Sequence, residues 1–449
     1  MTQISTPTTA SSGRTRSALI RRAWMITGLL VVFMLINFAD KSVIAFAGVQ
    51  IQKDLGLTPQ QFGMIQSSFF WLFAAGALFF GWLSSKVSIR WLLAGLMLLW
   101  VATMVPLLGT VSFGVLVACR LVLGFAEGPA FALANHAVHS WFPPEKRALP
   151  SSFVTAGSSL GVLIAAPVLT WIIVRWDWHA AFYLLITVGL VWVVAWILLG
   201  RGAPGEAAES AQATATVVDT VDAPYRTILR TGTVIGIALL MFCSYWSTTL
   251  KVSWLPVYLE DGLGYDTLTT GRLVMLPYGL AAVGAIAAGW FSNRLVSRGV
   301  SRKVARGYLS AGLIAGAGIT MVGFTIVSAG LLQILLVSLA FSLNTAAYGV
   351  ALTAIADVVQ SRKRGMVLGG LGAVSSISGM VAPLVLGFSV GRAADKVSGY
   401  GTGFLISGIL MIVGSAIAVF LVNPERDITP GRRFCTTMSA PAISRRAIS

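Results

Sequence analysis

Apolar runs of about twenty residues, separated by short polar stretches, recur from Trp24 to Val422; that is the length a helix needs to cross ~30 Å of hydrocarbon at about 1.5 Å per residue. Membrane strands would instead alternate polar and apolar positions over shorter segments. The runs predict helices at Trp24–Gly48, Phe62–Leu83, Trp91–Thr110, Phe113–Val138, Ser151–Ile173 and Ala180–Leu199. Six more follow at Val234–Leu259, Gly271–Phe291, Val304–Ile326, Leu331–Ala354, Met366–Gly387 and Tyr400–Leu421. The expected fold is an all-α integral membrane protein with twelve transmembrane helices in two pseudo-symmetric six-helix bundles.

The polar segments set the organisation. Residues 201–230, rich in Ala, Gly, Thr and Glu, read as a flexible cytoplasmic linker. It separates bundles at 24–200 and 231–423, with cytoplasmic tails at 1–23 and 424–449. The bundles echo each other. Gly81-Trp82-Leu83-Ser84-Ser85-Lys86 matches Gly289-Trp290-Phe291-Ser292-Asn293-Arg294 at an offset of 208, and Leu55-Gly56 matches Leu263-Gly264 at the same offset. Parallel repeats of this kind are a transporter architecture with its site near the midplane.

Only 11% of the residues are charged and 56% are hydrophobic, against about 25% charged in a soluble domain. The net charge of +16 does not point to nucleic acid. Twenty-four of the 32 Lys and Arg residues lie in segments on one side of the predicted topology and five on the other. That is the positive-inside pattern, with both termini cytoplasmic in a cell membrane. Arg21-Arg22 resembles a twin-arginine signal, but the apolar run after it is too long and lacks a small-residue cleavage site. Cys119, Cys243 and Cys435 form no spaced framework, so free thiols are expected.

The remaining three cations, Lys41, Arg120 and Lys251, fall inside apolar runs, as do Asp40 and Glu127. A charge at membrane depth costs roughly 2.5–3.5 kcal/mol on insertion scales and is functional by default. Counted by helix rise, Asp40 lies about 24 Å from the inner face, Arg120 about 10 Å below the outer face and Glu127 about 21 Å below it. Arg120 and Glu127, seven apart, share a helix face. Asp40, Lys41 and Arg120 are therefore expected at one level, with Glu127 two turns deeper. Lys41 and Lys251 are near enough to an outer end to snorkel. The residues admit two readings, an anion site beside a proton site, or a structural ion pair such as Arg120 with Asp40. Asn37, Gln66, Tyr245, Asn344, Tyr348, Ser375 and Ser376 are candidates to shape specificity, with interhelical hydrogen bonding as the alternative. Trp178 and Trp254, near span ends, read as interfacial anchors.

Two motifs resemble known families. The Gly81–Arg90 loop is similar to the loop between the second and third helices of the major facilitator superfamily. Gly81, Leu83, Lys86 and Arg90 match, while Ser85 replaces the acid and Ser88 the second glycine. Arg120-x3-Gly124-x2-Glu127-Gly128, followed by Trp141-Phe142-Pro143-Pro144-Glu145-Lys146-Arg147-Ala148, resembles the anion:cation symporter family. Asp40-Lys41 fits it, with lysine where arginine is common, as does Trp254-Leu255-Pro256-Val257-Tyr258-Leu259. That family includes bacterial sugar-acid and aromatic-acid permeases and is related to sialin and the vesicular glutamate transporters. The resemblance implies a monomeric secondary transporter that imports a small organic anion with protons by alternating access. Arg120, Lys41 and Lys251 would hold the substrate, and Asp40 and Glu127 the protons. The matched loops, with Gly81, Lys86, Arg90, Gly289 and Arg294, would gate. The partners are the anion, protons and the bilayer; no cofactor, metal or nucleic acid is expected.

Other chemistry fits poorly. His136 and His139 have metal-ligand spacing without a flanking acid or cysteine. Gly157-Ser158-Ser159-Leu160-Gly161 and Gly387-Phe388-Ser389-Val390-Gly391 match a hydrolase motif, but that motif needs a strand-turn-helix context. A membrane serine hydrolase is therefore disfavoured, and Gly157-x3-Gly161 reads as helix packing. No Gly-Lys phosphate loop exists. An exchanger or uniporter with structural carboxylates is the alternative within transport. A sensor is not expected, because the tails and linker, each about 25–30 residues, fall below the usual domain range.

Overall fold

The computed structural model describes residues 10–143, 146–200, 225–359 and 361–427. Residues 1–9 of the first tail, most of the second tail and of the linker, Pro144 and Glu145 of the basic motif, and Cys435 lie outside them. Twelve helices are long and apolar enough to span a membrane. These are α1 (Ala18–Phe46), α2 (Pro59–Leu83), α3 (Ile89–Leu108), α4 (Phe113–Trp141), α5 (Leu149–Arg175) and α6 (Trp178–Leu199). The second six are α7 (Gly232–Ser253), α8 (Thr267–Ser297), α9 (Lys303–Ile326), α10 (Leu331–Val358), α11 (Met366–Arg392) and α12 (Lys396–Leu421). The fold is all-helical, as the apolar periodicity predicts.

Side-chain caps set several starts. Thr58 accepts from the Gln61 backbone while Gln61 caps Thr58 in return, with Pro59 at the first helical position. That box begins α2 three residues before the apolar run does. Ser112, Asp177, Thr231 and Asp395 accept from backbone N–H groups at the starts of α4, α6, α7 and α12. Each satisfies a donor that a helix end leaves unpaired. The expected seventh helix ends early, at Ser253, before the turn Leu255–Val257 and a wider turn at Tyr258–Gly262. Three spans are interrupted: α2 at Leu72, α4 at Gly128-Pro129 and α10 at Phe341-Ser342. The break in α4 follows from proline, which cannot donate to the helix ladder.

The chain forms two compact units. One holds α1 to α6 together with Leu255–Met275; the other holds α7 and the remainder of α8 through α12. Within the first, α1 packs on α5 and α3 on α6; within the second, α7 packs on α11 and α9 on α12. The same pairing recurs six spans later, as a parallel repeat requires. Large apolar side chains such as Leu78, Ile286 and Phe420 stand exposed on the helix surfaces. Such a surface is suited to lipid and unsuited to water.

Glycines let the helices of the first unit approach closely. A Cβ on Gly124 would lie 1.7 Å from the Phe69 carbonyl oxygen, and one on Gly128 would lie 2.0 Å from that of Phe73. The α4 backbone therefore presses on α2 along the face that carries Arg120 and Glu127. Gly157 and Gly161 likewise meet the backbones of Val31 and Leu35 on α1. The sequence reading of this motif as close packing matches that contact. Trp178 and Trp254, expected as interfacial anchors, are instead fully buried. Their indole N–H groups donate to Asp54 Oδ2 at 2.8 Å and to the Pro383 carbonyl at 3.2 Å. A satisfied N–H lets the whole ring join the core.

Candidate functional site

The first unit gathers four ionisable groups. Asp40 and Lys41 come from α1, Arg120 and Glu127 from α4. Asp40, Arg120 and Glu127 are each at most 3% exposed. Lys41 Nζ lies 2.9 Å from Glu127 Oε2 and donates to Asn37 Oδ1 at 3.0 Å. Asn37 sits one turn before Lys41, so α1 supplies both the cation and an acceptor that steadies it. Arg120 Nη2 donates to Gln66 Oε1 on α2 at 3.1 Å, while its Nε and Nη1 carry no hydrogen-bond partner. Both Asp40 carboxylate oxygens are buried and also lack a partner.

This pattern departs from the depth count in one respect. Glu127, placed by the count two turns below the level of Lys41, is the ion-pair partner of Lys41. The count took each helix as straight and upright. The long lysine stem and the break in α4 just after Glu127 bring the two heads together. Among the described residues, Arg120 and Asp40 are not within ion-pair distance, so the structural pair weighed from sequence is not the one formed.

Aromatic rings surround the cations. Lys41 Nζ lies 4.5 Å from the Phe38 ring centre, 5.6 Å from Phe73 and 5.7 Å from Phe69, and the Arg120 guanidinium lies 4.7 Å from Phe69. Ring faces stabilise cations where water is excluded. The sequence reading missed these phenylalanines. Their signal was the run Phe69-Phe70-Trp71-Leu72-Phe73, which in an apolar chain looks like ordinary membrane surface. A small cavity of about 10 Å³ opens beside Asp40 and Arg120, bounded by Thr103, Cys119, Leu123 and Phe182. That is roughly the space of one water.

In the second unit, α7 and α10 are joined by polar contacts around the break in α10. Ser244 donates to the Asn344 carbonyl, and Asn344 Nδ2 returns bonds to the Ser244 carbonyl and Thr248 Oγ1. Ser247 donates to the Ala340 carbonyl. Lys251 Nζ donates to the Phe341 carbonyl at 2.9 Å and Thr345 Oγ1 at 3.3 Å, and it sits over the Tyr278 ring. Lys251 is thus a buried group and does not snorkel.

The other sequence candidates are placed as follows. Asn344 serves as a tie between helices. Ser375 and Ser376 bond back to carbonyls of their own helix, at Leu371 and Gly372. Tyr245 and Tyr348 are half-buried. In the loop after α2, Lys86 lies over the Trp82 ring; Gly289–Arg294, expected as the matching loop, instead lies within α8, where Arg294 in the last turn lies over Trp290. Arg90 bonds the Ile197 carbonyl at the end of α6, and Trp196 donates to the Arg90 carbonyl. Gly81 and Gly289 face open space.

A family model described as Major Facilitator Superfamily matches residues 29–351. The chain belongs to this superfamily. A major facilitator protein is a transporter and not an enzyme, and this one is a multi-pass membrane protein. It is 28% identical to the probable sulfoacetate transporter SauU of Cupriavidus necator, covering 90% of this chain and 95% of that one. It is 28% identical to the hexuronate transporter of Bacillus subtilis, covering 88% and 94%. With the D-galactonate transporter of Escherichia coli it shares 25% identity, covering 91% and 97%. These relatives agree with the anion:cation symporter branch that the α4 motif resembles. Among solved structures, a bacterial homologue of the human lysosomal transporter Spinster superposes with a TM-score of 0.74 at 15% identity. That match covers 91% of this chain and 99% of the other. A D-xylose–proton symporter gives 0.72 at 16% identity, covering 89% and 98%. These two establish the fold alone.

Proposed function

We propose that this major facilitator protein carries an organic anion, of the sugar-acid kind, together with protons. The observation that carries the reading is the cluster on α1 and α4. Lys41 is paired with Glu127, Arg120 has two donors without partners, and beside them is a buried carboxylate that accepts no hydrogen bond. Relatives named as transporters of sulfoacetate, hexuronate, galactarate/D-glucarate and galactonate support an anionic substrate.

The mechanism follows from charge compensation. Arg120 presents a planar fork that fits a carboxylate, and Lys41 a point charge. A substrate carboxylate that takes Lys41 withdraws the cation facing Glu127. Glu127 then keeps its burial only by gaining a proton. Release of the substrate returns Lys41 to Glu127, and the proton leaves. Asp40, which lines the same small cavity as Arg120, is the second proton carrier. Gln66 and Asn37 hold the two cations in place between cycles. The matched segments Gly81–Arg90 and Gly289–Arg294 act at the cytoplasmic gate, and the two repeats alternate access.

Both termini lie in the cytoplasm on this reading, because the basic residues divide 24 to 5 between the two sides. A thiol reagent that cannot cross membranes should leave Cys435 unlabelled in intact cells and label it after permeabilisation. Labelling from outside would reverse the orientation. The substrate class is tested by thermal stabilisation of the purified protein, since only ligands of the native state raise Tm by mass action. Sugar acids and small sulfonates should raise it, and the corresponding neutral sugars should not. Stabilisation by neutral sugars instead would overturn the anion reading.

A further inference from the structure

One face of α8 changes character toward its end. Val283, Ile286 and Trp290 are exposed and lie three or four residues apart; Arg294 and Arg298, also exposed, follow at the same spacing. Positions so spaced share a helix face. An apolar stripe suited to lipid tails therefore runs through an aromatic ring into two guanidinium groups. The Arg294 guanidinium lies 5.3 Å from the centre of the Trp290 ring. The chain then reverses tightly. Gly299 takes φ +82°, and the Val300 N–H bonds the Leu295 carbonyl at 3.0 Å, a glycine-terminated helix end. α9 begins at Lys303, whose Nζ lies 5.3 Å from the exposed Tyr308 ring. Ser292 Oγ on α8 ties the two helices by donating to the Ala305 carbonyl at 2.7 Å.

This turn carries more charge than its counterpart in the first repeat. Arg294–Arg306 holds five cations and no acid, whereas the matching Lys86–Leu98 holds two, and one of those, Arg90, bonds the Ile197 carbonyl. The carboxylates that reach the turn are engaged. Glu425 accepts from the Arg302 backbone N–H at 2.9 Å, and Asp357 pairs with Arg306. Among the described residues, no carboxylate lies within ion-pair distance of Arg294, Arg298 or Lys303. Fixing the direction of insertion needs only a count of basic residues. It does not need cations set over exposed rings at the end of a lipid-facing stripe.

We propose that the α8–α9 turn binds the headgroup of an anionic phospholipid, its phosphate taken by Arg294, Arg298 and Lys303 and its upper acyl chain lying along Trp290 and Ile286. The proposal does not depend on which anion is carried. A phosphodiester offers anionic oxygens to guanidinium and ammonium donors, and basic clusters at the membrane surface favour lipids of net negative charge. A zwitterionic headgroup brings a cation of its own, which these three side chains repel. A soluble anion would match the charge but not the exposed stripe beside it; a lipid covers both.

The test uses the purified full chain in detergent, stripped of native lipid and titrated with phosphatidylglycerol or phosphatidylcholine, with bound lipid counted by native mass spectrometry. Wild type should bind the first phosphatidylglycerol at least about tenfold more tightly than phosphatidylcholine, since each basic residue at an anionic surface contributes roughly fivefold. Arg298→Gln combined with Lys303→Gln should remove that preference and leave phosphatidylcholine binding unchanged. Arg298 is exposed and Lys303 half-buried, so the pair can be replaced without stranding a buried charge. Arg298→Lys combined with Lys303→Arg should keep the preference. So should Arg226→Gln combined with Arg230→Gln, which removes as much charge away from the turn. Equal wild-type affinity for the two lipids would overturn the proposal, as would a preference that survives the Arg298 and Lys303 glutamine pair. Equal loss in the Arg226 and Arg230 pair would mean diffuse attraction and no site at the turn. Competition by soluble glycerophosphoglycerol at the same concentration as the lipid would make the turn a phosphate-ester site and overturn the lipid assignment.

Discussion

Glu127→Gln is expected to abolish accumulation of substrate driven by an inward proton gradient while sparing counterflow between loaded vesicles and medium. Glutamine keeps the size and a hydrogen-bond acceptor for Lys41 but cannot ionise. The variant is fixed in the state that Glu127 reaches once it has gained a proton. Such a carrier still binds anion and exchanges it, because exchange does not need the empty, deprotonated return. It cannot draw energy from protons. Wild-type Glu127 has Lys41 at 2.9 Å, and removing one partner of a buried pair costs about 3–5 kcal/mol when the other is left uncompensated. The Lys41 side chain is 14% exposed and keeps its bond to Asn37, so a smaller loss of stability is expected, to be measured as Tm alongside transport. If Glu127 is only structural, accumulation and counterflow will fall together or stand together. Loss of accumulation in Asp40→Asn with Glu127→Gln unaffected would move the proton site to α1.

Arg120→Lys should reduce uptake at least about tenfold, the equivalent of ~1.4 kcal/mol, because a point charge replaces a bidentate fork. Arg120→Ala should reduce it further. Its guanidinium is held on one side by Gln66 and lies over the Phe69 ring, leaving two donors without partners. That is a pre-arranged group, and a lysine in its place would reorganise at every cycle. Initial rates of uptake at saturating and limiting substrate separate loss of binding from loss of turnover. Wild-type uptake by Arg120→Ala would remove Arg120 from the site.

The spans and the buried charges were legible because each rests on a large local cost. Twenty consecutive apolar residues have no good soluble fate, and Asp40, Arg120 and Glu127 stand out inside such runs. The pairing among those charges was not legible. Whether Glu127 meets Lys41 depends on the tilt of α1, the break in α4 and how far a lysine stem reaches. None of these is a property of a single residue. Gly124 and Gly128 lay in a recognised motif, yet that they press α4 against the carbonyls of Phe69 and Phe73 follows only from the packing. Trp178 and Trp254 show the opposite failure. Position near a span end suggested the interface, but an acceptor at Asp54 and one at Pro383 allowed both indoles to be buried. Lys251 could be seen in the sequence, and its partners could not, since that required knowing what α8 and α10 bring beside it.

Proton movement on substrate addition tests the central claim most directly. Purified protein is reconstituted into vesicles with a pH-sensitive dye inside, with no initial pH gradient and with the membrane potential clamped. Adding a sugar acid that stabilises the protein should acidify the lumen at a rate that tracks anion uptake and vanishes in Glu127→Gln. Anion uptake at the same rate with no change in internal pH would contradict the account.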